Sequence, residues 1–261
     1  MSFLSGLTDA ELARYTIELL DLTSLNEQDT EDDITYLCEQ AQQGNVQVAA
    51  LCIYPRFIPW ARSELARLGI QGVKLATVSN FPHGRSDIAA TLAETSACLA
   101  YGADEVDLVF PYASLMAGNE VLGEHMVRAC KALCGTKILK VIIESGELAS
   151  PALIAQASDI AIHAGADFIK TSTGKVPVNA TPAAAKVMLE QIKQANHLVG
   201  FKAAGGVKTL AGVRQYLTLA VDVLGDDVLQ ASRFRVGTSA LLGALLVAMG
   251  ESADSAPTGD Y

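Results

Sequence analysis

Short apolar runs alternate with amphipathic stretches of helical length along this sequence, and this alternation restricts the fold more than any other feature. A parallel sheet in which a helix follows each strand is the architecture that such an alternation predicts. We count eight candidate strands, at 21–25, 48–55, 73–80, 105–111, 137–146, 167–174, 198–206 and 234–239, with clear helical stretches at 86–100, 118–133, 151–164 and 181–196. Because eight such units close into a barrel, we predict an α/β fold of the (β/α)8 TIM-barrel type.

The repeated unit extends over nearly the whole chain. Two junctions between a predicted helix and the next strand have similar sequences, YGADEVDLVF at 101–110 and HAGADFIKTS at 163–172. In each, a Gly ends the helix and an Asp leads into the strand. The length of 261 residues also suits one barrel, which commonly takes about 250. We predict a single domain over 1–250, with an extra helix in the first twenty residues that caps the bottom of the barrel, and a flexible tail over 251–261.

The charge of the chain limits its partners. Its 19 basic and 29 acidic side chains give a formal net charge of −10, which opposes nonspecific binding to nucleic acid or to an anionic membrane. Between Phe168 and Val221, however, seven Lys and Arg side chains accompany a single acid, Glu190. This basic segment in an acidic protein favours an anionic small molecule as the ligand.

The cysteines and the apolar runs of the sequence indicate the cellular compartment of the protein. Five cysteines are an odd number and do not form a disulfide framework, and no charged-then-apolar leader opens the sequence, so we expect a cytoplasmic protein. The longest apolar run, Ala240 to Gly250, is shorter than the ~20 residues of a membrane-spanning helix. We therefore expect no membrane association.

The alternation of side chains along a strand assigns four charged residues to the barrel interior. In the sixth strand Ile169 faces the helices and Lys170 faces inward, and the same rule turns Asp107, Lys140 and Lys202 inward. Neighbouring strands lie about 4.8 Å apart, so Lys170 and Lys202 would crowd each other, and crowding of like charges lowers a lysine pKa. We predict that Lys170 is a free amine that attacks a carbonyl. A purely stabilising ion network of the same residues is the alternative.

Metal chemistry has less support in the sequence. The four histidines, His83, His125, His163 and His197, show no paired spacing, and Cys130 and Cys134 lie four residues apart with no second pair. Metal sites in proteins recur at characteristic ligand spacings, which these residues lack. We predict no bound metal and interpret Cys52, in an apolar strand, as a core residue.

Three loops after the last strands are suited to an anion. Glycines let backbone N–H groups approach an oxyanion, and barrels of this type often bind phosphate in the loops after strands seven and eight. Those loops here are AGGVK, from Ala204 to Lys208, and VGTS, from Val236 to Ser239, while Gly174 and Lys175 follow strand six. We predict a phosphate cradle beside the amine, in line with the helix N-terminus that follows Ser239.

Nine motifs give the sequence a specific resemblance. They are DLTSL, CIYPRFIP, TVSNFPHG, YGADEVDLVFPY, MAGNE, KVIIESGEL, AGADFIKTSTGK, NATP and GFKAAGGV, and they extend over nearly the whole chain. The sequence resembles deoxyribose-phosphate aldolases. The resemblance implies a class I aldolase that reversibly cleaves 2-deoxy-D-ribose 5-phosphate into D-glyceraldehyde 3-phosphate and acetaldehyde. It further implies no metal or organic cofactor, a role in deoxynucleoside breakdown in the cytoplasm, and a homodimer.

The resemblance also assigns roles to individual residues. The Schiff-base lysine of the family matches Lys170, its second lysine matches Lys202, and its proton-shuttling aspartate matches Asp107. Asp21 and Thr23 match positions that line the pocket, although strand-end hydrogen bonding is an equally good interpretation of both. The residues that would hold the phosphate are Gly174, Lys175, Gly206, Lys208, Gly237 and Ser239, and Tyr261 resembles the family's terminal residue, which could act as a proton donor.

The chain departs from the family pattern at two places. Ala203 stands where a Pro usually follows the second lysine, and Thr238, Ser239 and Ala240 stand where an Ala-Ser-Ser sequence is typical. The second departure moves or removes a hydroxyl and concerns phosphate affinity. Two other functions stay open at this point: a phosphosugar-binding barrel without catalysis, and another Schiff-base aldolase of the same fold that acts on a longer donor.

Overall fold

The computed structural model describes residues 3–195 and 198–250, so the predicted tail at 251–261 lies outside the described residues. The strands are β1 (Leu20–Ser24), β2 (Gln42–Gln43), β3 (Val46–Gln47), β4 (Ala50–Ile53), β5 (Lys74–Ser79), β6 (Glu105–Val109), β7 (Ile138–Ile142), β8 (Phe168–Lys170), β9 (Gly200–Ala204) and β10 (Phe234–Thr238). Eight of them, β1 and β4 to β10, correspond to the eight predicted strands. The structure adds the β2–β3 hairpin, whose strands of two residues each are too short to give a sequence pattern.

The eight strands form a closed parallel barrel. Their order around it is β1, β10, β9, β8, β7, β6, β5, β4, and β4 pairs with β1 to close the ring. All the carboxyl ends therefore lie at one end of the barrel, where the loops after the strands meet. The (β/α)8 fold predicted from the alternation is confirmed.

Helices surround the barrel. They are α1 (Asp9–Ile17), α2 (Glu31–Glu39), α3 (Ile58–Arg67), α4 (Ile88–Ala100), α5 (Tyr112–Met116), α6 (Glu120–Cys134), α7 (Ser145–Leu148), α8 (Pro151–His163), α9 (Pro182–Ala195), α10 (Leu210–Leu224) and α11 (Leu241–Ala248). The predicted extra helix is α1, which a capping box of Thr8 and Glu11 begins and which packs mainly against α11 and α10. Its side chains also contact two segments that precede barrel strands, since Arg14 donates to Asn45 Oδ1 at 2.6 Å and Tyr15 donates to the Leu229 carbonyl oxygen. A cap on the barrel's bottom stays a prediction. Among residues 3–195 and 198–250, no helix combines the length and apolarity needed to cross a bilayer.

The two Gly-Ala-Asp (GAD) junctions, at 102–104 and 165–167, have the same local structure. Gly102 and Gly165 end α4 and α8 with φ of +97° and +102°, which an L residue rarely adopts. The following acids, Asp104 and Asp167, accept hydrogen bonds from the backbone N–H of Leu75 at 2.9 Å and of Leu139 at 2.7 Å. Each junction therefore ties the start of one strand to the neighbouring strand, which keeps the barrel register.

The apolar core lies between the barrel and the helices. Leu22, Val106, Leu108, Ile169 and Phe201 belong to one large buried cluster with the inner faces of the helices. Alternate residues on the same strands face the barrel axis instead. Polar side chains fill much of that axis.

Candidate active site

The four side chains predicted to face inward meet inside the barrel. Asp107, Lys140, Lys170 and Lys202 stand on four consecutive strands, β6 to β9, and each is 0% exposed. The register pairs Asp107 with Lys140 and Lys170 with Lys202 across neighbouring strands. Four buried charged groups this close together need each other as partners.

Asp107 is the common acceptor of the three amines. Its Oδ2 accepts from Lys170 Nζ at 2.9 Å and from Lys202 Nζ at 2.8 Å. Its Oδ1 accepts from Lys140 Nζ at 2.9 Å. The two lysines with assigned roles therefore share one oxygen atom, which places a possible proton acceptor directly against both.

A second layer lies below the first, toward the amino ends of the strands. Asp21 accepts from Lys202 Nζ at 2.5 Å and from Arg235 Nη1 at 2.5 Å. Glu105 contacts Lys140 Nζ at 2.5 Å and Arg235 Nη2 at 3.0 Å. Asp21, predicted to line the pocket, thus lies within β1 and links both layers.

The sequence interpretation missed Glu105 and Arg235. Both follow from the same alternation, because Glu105 stands two residues before Asp107, and Arg235 lies between the outward-facing Phe234 and Val236. We call the seven residues together the charged ladder: Asp21, Glu105, Asp107, Lys140, Lys170, Lys202 and Arg235. With every group ionised, its four cations and three carboxylates carry a formal net charge of +1.

Ion pairing lowers the pKa values of two carboxylates of the ladder, Asp107 and Asp21. Burial alone would raise the pKa of Asp107, but the ammonium groups of Lys140, Lys170 and Lys202 outweigh it and hold that pKa well below its usual range. The pKa of Asp21 is lowered in the same way, against its burial, by Lys140, Lys202 and Arg235. Both carboxylates are therefore ionised at neutral pH.

The predicted depression of the Lys170 pKa is wrong for this arrangement. Burial is the largest single influence and would lower the pKa of Lys170, but the Asp107 carboxylate, together with Cys52, outweighs burial and raises it. The physical reason is that Lys202 does not simply face Lys170, since both amines donate to the same Asp107 oxygen. A carboxylate between two ammonium groups cancels the repulsion on which the prediction depended.

The segment after Lys170 is held by hydrogen bonds that the sequence did not indicate. Glu144, with φ of +55° at the end of β7, accepts from the backbone N–H of Thr173 at 3.1 Å, and burial raises the pKa of its carboxyl group. Thr171 Oγ1 and Ser172 Oγ donate to the carbonyl oxygen of Ala204 at 3.0 and 2.7 Å. These contacts fix the mouth of the barrel between β8 and β9.

The loops of the predicted phosphate cradle lie side by side, since β8, β9 and β10 are neighbours. Gly174 and Gly206 have φ of +83° and +82°, and both stand in the loops after their strands. Lys175 and Lys208 are exposed. Phosphate binding by these loops stays a prediction.

Gly237 has a packing role that the cradle prediction did not include. It lies within β10, and a Cβ atom at this position would come within 2.8 Å of Lys202 Cε and 3.2 Å of Ala204 Cβ. Only glycine leaves this room without a shift of the Lys202 side chain. The position therefore helps to place the Lys202 amine against Asp107.

Five further positions from the sequence analysis have defined surroundings. Thr23 donates to the Asp21 carbonyl oxygen at 2.8 Å, which is the strand-end hydrogen bonding that we held open for it. Thr238 donates to the Val207 carbonyl oxygen at 3.1 Å, and Ser239 is buried beside it. Ala203 packs in the outer core, and Ala240 caps α11 without a side-chain hydrogen bond. Tyr261 lies outside the described residues.

The structure shows the surroundings of the Cys52 thiol and of the possible metal ligands. Cys52 is buried on the inner face of β4 with its Sγ 4.0 Å from Asp107 Oδ2, and burial raises its pKa. It is thus a buried residue, as predicted, but one that borders the ladder. Within the part of the chain that the structure describes, no three His, Cys, Asp or Glu side chains form a group suited to a metal ion.

Comparison with known proteins identifies a family. A family model described as DeoC/LacD family aldolase matches residues 15–244. A Toxoplasma gondii ME49 protein with the provisional name deoxyribose-phosphate aldolase is 23% identical, with a TM-score of 0.86 over 92% of this chain and 95% of that chain. A Coccidioides immitis protein with the same provisional name is 25% identical, with a TM-score of 0.78 over 89% of this chain and 85% of that one.

A third structure comes from Aeropyrum pernix. This deoxyribose phosphate aldolase, described as a tetramer, is 27% identical, with a TM-score of 0.69 over 93% of both chains. The segment that the family model matches contains all eight barrel strands and every residue of the charged ladder. The chain is therefore an aldolase, and it belongs to the DeoC/LacD family.

Proposed function

We propose that this aldolase reversibly cleaves 2-deoxy-D-ribose 5-phosphate into D-glyceraldehyde 3-phosphate and acetaldehyde through a Schiff base on Lys170. The observation that carries the proposal is the shared oxygen, with the amines of Lys170 and Lys202 at 2.9 and 2.8 Å from Asp107 Oδ2. A nucleophile, a proton carrier and a second cation in contact are the groups that this chemistry requires. The resemblance of nine sequence motifs to deoxyribose-phosphate aldolases supports the substrate.

The first step forms the imine. Lys170, after losing a proton, attacks the C1 carbonyl carbon, and the resulting carbinolamine loses water to give a protonated imine. Asp107 is placed to relay the proton that the departing hydroxyl takes up, since it contacts the Lys170 amine directly. Lys202, on the same oxygen, is placed to resupply that proton.

The second step breaks the C2–C3 bond. A base removes the proton of the C3 hydroxyl, the electrons of the C2–C3 bond move toward the iminium nitrogen, and C3 leaves as the aldehyde of D-glyceraldehyde 3-phosphate. The two carbons that stay on Lys170 form an enamine. Protonation at C2 and hydrolysis by water release acetaldehyde and restore the amine. In the cytoplasm, such a reaction would serve the breakdown of deoxynucleosides.

The phosphate would bind at the three loops beyond β8, β9 and β10. Gly174 and Gly206 have positive φ there and no side chain to keep an oxyanion from the backbone, and Lys175 and Lys208 add positive charge. The loops lie at the same end of the barrel as Lys170, the last residue of β8. A sugar phosphate could therefore bind by its phosphate at the rim while its carbonyl carbon lies inside.

A turnover assay tests the proposed substrate. We expect acetaldehyde release from 2-deoxy-D-ribose 5-phosphate and at least about 100-fold lower kcat/KM with D-ribose 5-phosphate, whose extra C2 hydroxyl must be accommodated in a closed polar site. Equal turnover of both sugars, or none of either, would overturn the substrate assignment. A longer donor aldehyde as the better substrate would favour the other Schiff-base aldolase instead.

The reactivity of Lys170 should increase with pH across the neutral range. A raised pKa keeps the amine protonated, so the free-amine fraction grows about tenfold per pH unit below that pKa. The measurement is the initial rate at which acetylacetone forms its ultraviolet-absorbing enaminone with the enzyme between about pH 6 and about pH 8.5, with Lys170→Leu as the blank. A rate that levels off near pH 7 would contradict the raised pKa.

Gly237→Ala should reduce turnover without unfolding the protein. The added methyl group meets Lys202 Cε at 2.8 Å and moves the amine away from Asp107, and a misplacement of about 1 Å can cost on the order of 100-fold in rate. We expect a fall in kcat of about 10- to 100-fold. The matched control is Gly6→Ala, because a Cβ atom there meets nothing within 4 Å. Unchanged kcat in Gly237→Ala would contradict the packing role.

A further inference from the structure

A cavity of about 290 Å³ lies outside the barrel axis, beside the reacting end of the barrel. Its walls are α7, the first turns of α8, the segment at 178–181 and the start of α9. Ile154, Val178 and Val187 supply much of its apolar surface, and no charged side chain lines it within the described residues. At ~30 Å³ per water-sized unit, this volume holds a molecule of about seven to ten non-hydrogen atoms.

Two polar atoms in the cavity wall lack hydrogen bonds. Over residues 3–195 and 198–250, the buried side-chain atoms without a partner are Ser145 Oγ, Asn179 Oδ1 and Arg233 Nε, and the first two belong to residues that line this cavity. Ser145 is only 3% exposed. Asn179 uses its amide group to donate to the Val176 carbonyl oxygen at 2.9 Å, which leaves its Oδ1 as the acceptor. Buried polar atoms without partners are uncommon and costly, so they indicate a group that is absent from the cavity.

We propose that this cavity is a binding site for a small neutral alcohol. A hydroxyl group has both a donor for Asn179 Oδ1 and an acceptor for Ser145 Oγ, so an alcohol supplies the partner that either unpaired atom lacks. The apolar body of the alcohol packs against Ile154, Val178 and Val187. An ion does not fit, because no lining side chain would neutralise it.

The site is separate from the charged ladder but adjoins the segments around it. The Ser145 backbone N–H donates to the Thr171 carbonyl oxygen at 2.8 Å, one residue beyond Lys170. A Cβ atom on Gly205 would lie 2.7 Å from the Asn179 side chain, so Asn179 also touches the loop after β9. A ligand in the cavity would thus contact the residues that support both the β8 and the β9 loops.

Binding of cyclohexanol tests the proposal, with cyclohexyl methyl ether as the probe that cannot donate. We expect cyclohexanol to bind wild-type protein in ligand-observed NMR and to lower the unfolding equilibrium constant about 11-fold at ten times its Kd. Ser145→Ala should weaken binding about 3- to 10-fold, since one hydrogen bond is lost. Val187→Phe should abolish binding by filling the cavity, whereas Val247→Phe, at an exposed position on α11, should not change it.

Several outcomes would overturn the site. They are no cyclohexanol binding to wild type, which would mean that water alone fills the cavity, equal binding of alcohol and ether, and unchanged binding to Val187→Phe. The rate of enaminone formation at Lys170 checks that Val187→Phe retains a native barrel. Ser145→Ala keeps the test decisive if the larger side chain impairs folding, because it only removes an unpaired hydroxyl.

Discussion

Lys170→Leu is expected to lose aldol cleavage while the protein stays folded. Lys170 is the proposed point of attachment of the substrate, and a side chain without an amine forms no imine. We expect kcat to fall by about 10⁴-fold or more, as when a covalent nucleophile is removed from other enzymes. The measurement is acetaldehyde release at saturating sugar phosphate, with a linked assay for D-glyceraldehyde 3-phosphate.

The folding of the same variant separates lost chemistry from lost structure. Removal of one cation takes the ladder from a formal +1 to neutral, and Asp107 keeps Lys140 and Lys202 as partners. We therefore expect the free energy of unfolding to fall by less than about 2 kcal/mol. Residual cleavage within tenfold of wild type would rule out Lys170 as the Schiff-base residue.

Asp107→Asn is expected to destabilise the fold more than Lys170→Leu does. The carboxylate pairs with three ammonium groups, and its loss takes the buried ladder to a formal +2. Breaking a buried ion pair by removing one partner commonly costs about 3–5 kcal/mol, and we expect a loss of this size at neutral pH. Urea unfolding at pH 7 measures it, and Lys170→Leu is the matched charge-removal control.

The pH dependence of that loss has a definite sign. The pKa of Asp107 is lowered by folding, so its stabilisation is present above the unfolded pKa of about 3.9 and disappears as pH falls through the folded value. The difference in stability between wild type and Asp107→Asn should therefore be largest near neutral pH and shrink below about pH 4. A difference that does not change with pH would show that packing, not charge, accounts for the loss.

Asp107→Asn should also separate amine reactivity from turnover. Without the carboxylate, burial, which is the largest influence, and Lys140 lower the pKa of Lys170, and only Cys52 still acts to raise it. Enaminone formation with acetylacetone should thus become faster at neutral pH and level off at a lower pH than in wild type. Aldol cleavage should fall at the same time, because the proposed proton relay is missing.

Much of the fold and part of the site could be predicted from the sequence. The eight strands and their inward faces follow from a period of two along each strand, and the same rule correctly placed Asp107, Lys140, Lys170 and Lys202. It would also have found Glu105 and Arg235, had every strand been treated in this way. The repeated GAD junctions indicated one continuous barrel, because each joins a helix to the next strand through a glycine with positive φ and an acid that binds the neighbouring strand.

Other features of the site depend on distances between side-chain atoms, which a sequence pattern does not give. Whether two inward amines repel each other or share a carboxylate oxygen is decided by side-chain geometry, and for this reason the predicted pKa depression of Lys170 was wrong. Glu144 adopts a backbone conformation that is rare for its residue type, so propensity gave no indication of its contact with Thr173. The cap of helix α4 is Asp87, whose carboxylate accepts from the Ala90 N–H at 2.9 Å, a contact that the helical pattern of 86–100 did not indicate.

One amine of the ladder, that of Lys170, is the proposed nucleophile. Lys140, Lys170 and Lys202 all contact Asp107, so their reactivity has to be distinguished residue by residue. The most direct measurement is borohydride reduction of the enzyme with acetaldehyde, followed by proteolysis and mass mapping of the ethylated lysine. We predict a single ethyl group, on Lys170. An ethyl group on Lys140 or Lys202 instead, or none on any lysine of the ladder, would contradict it.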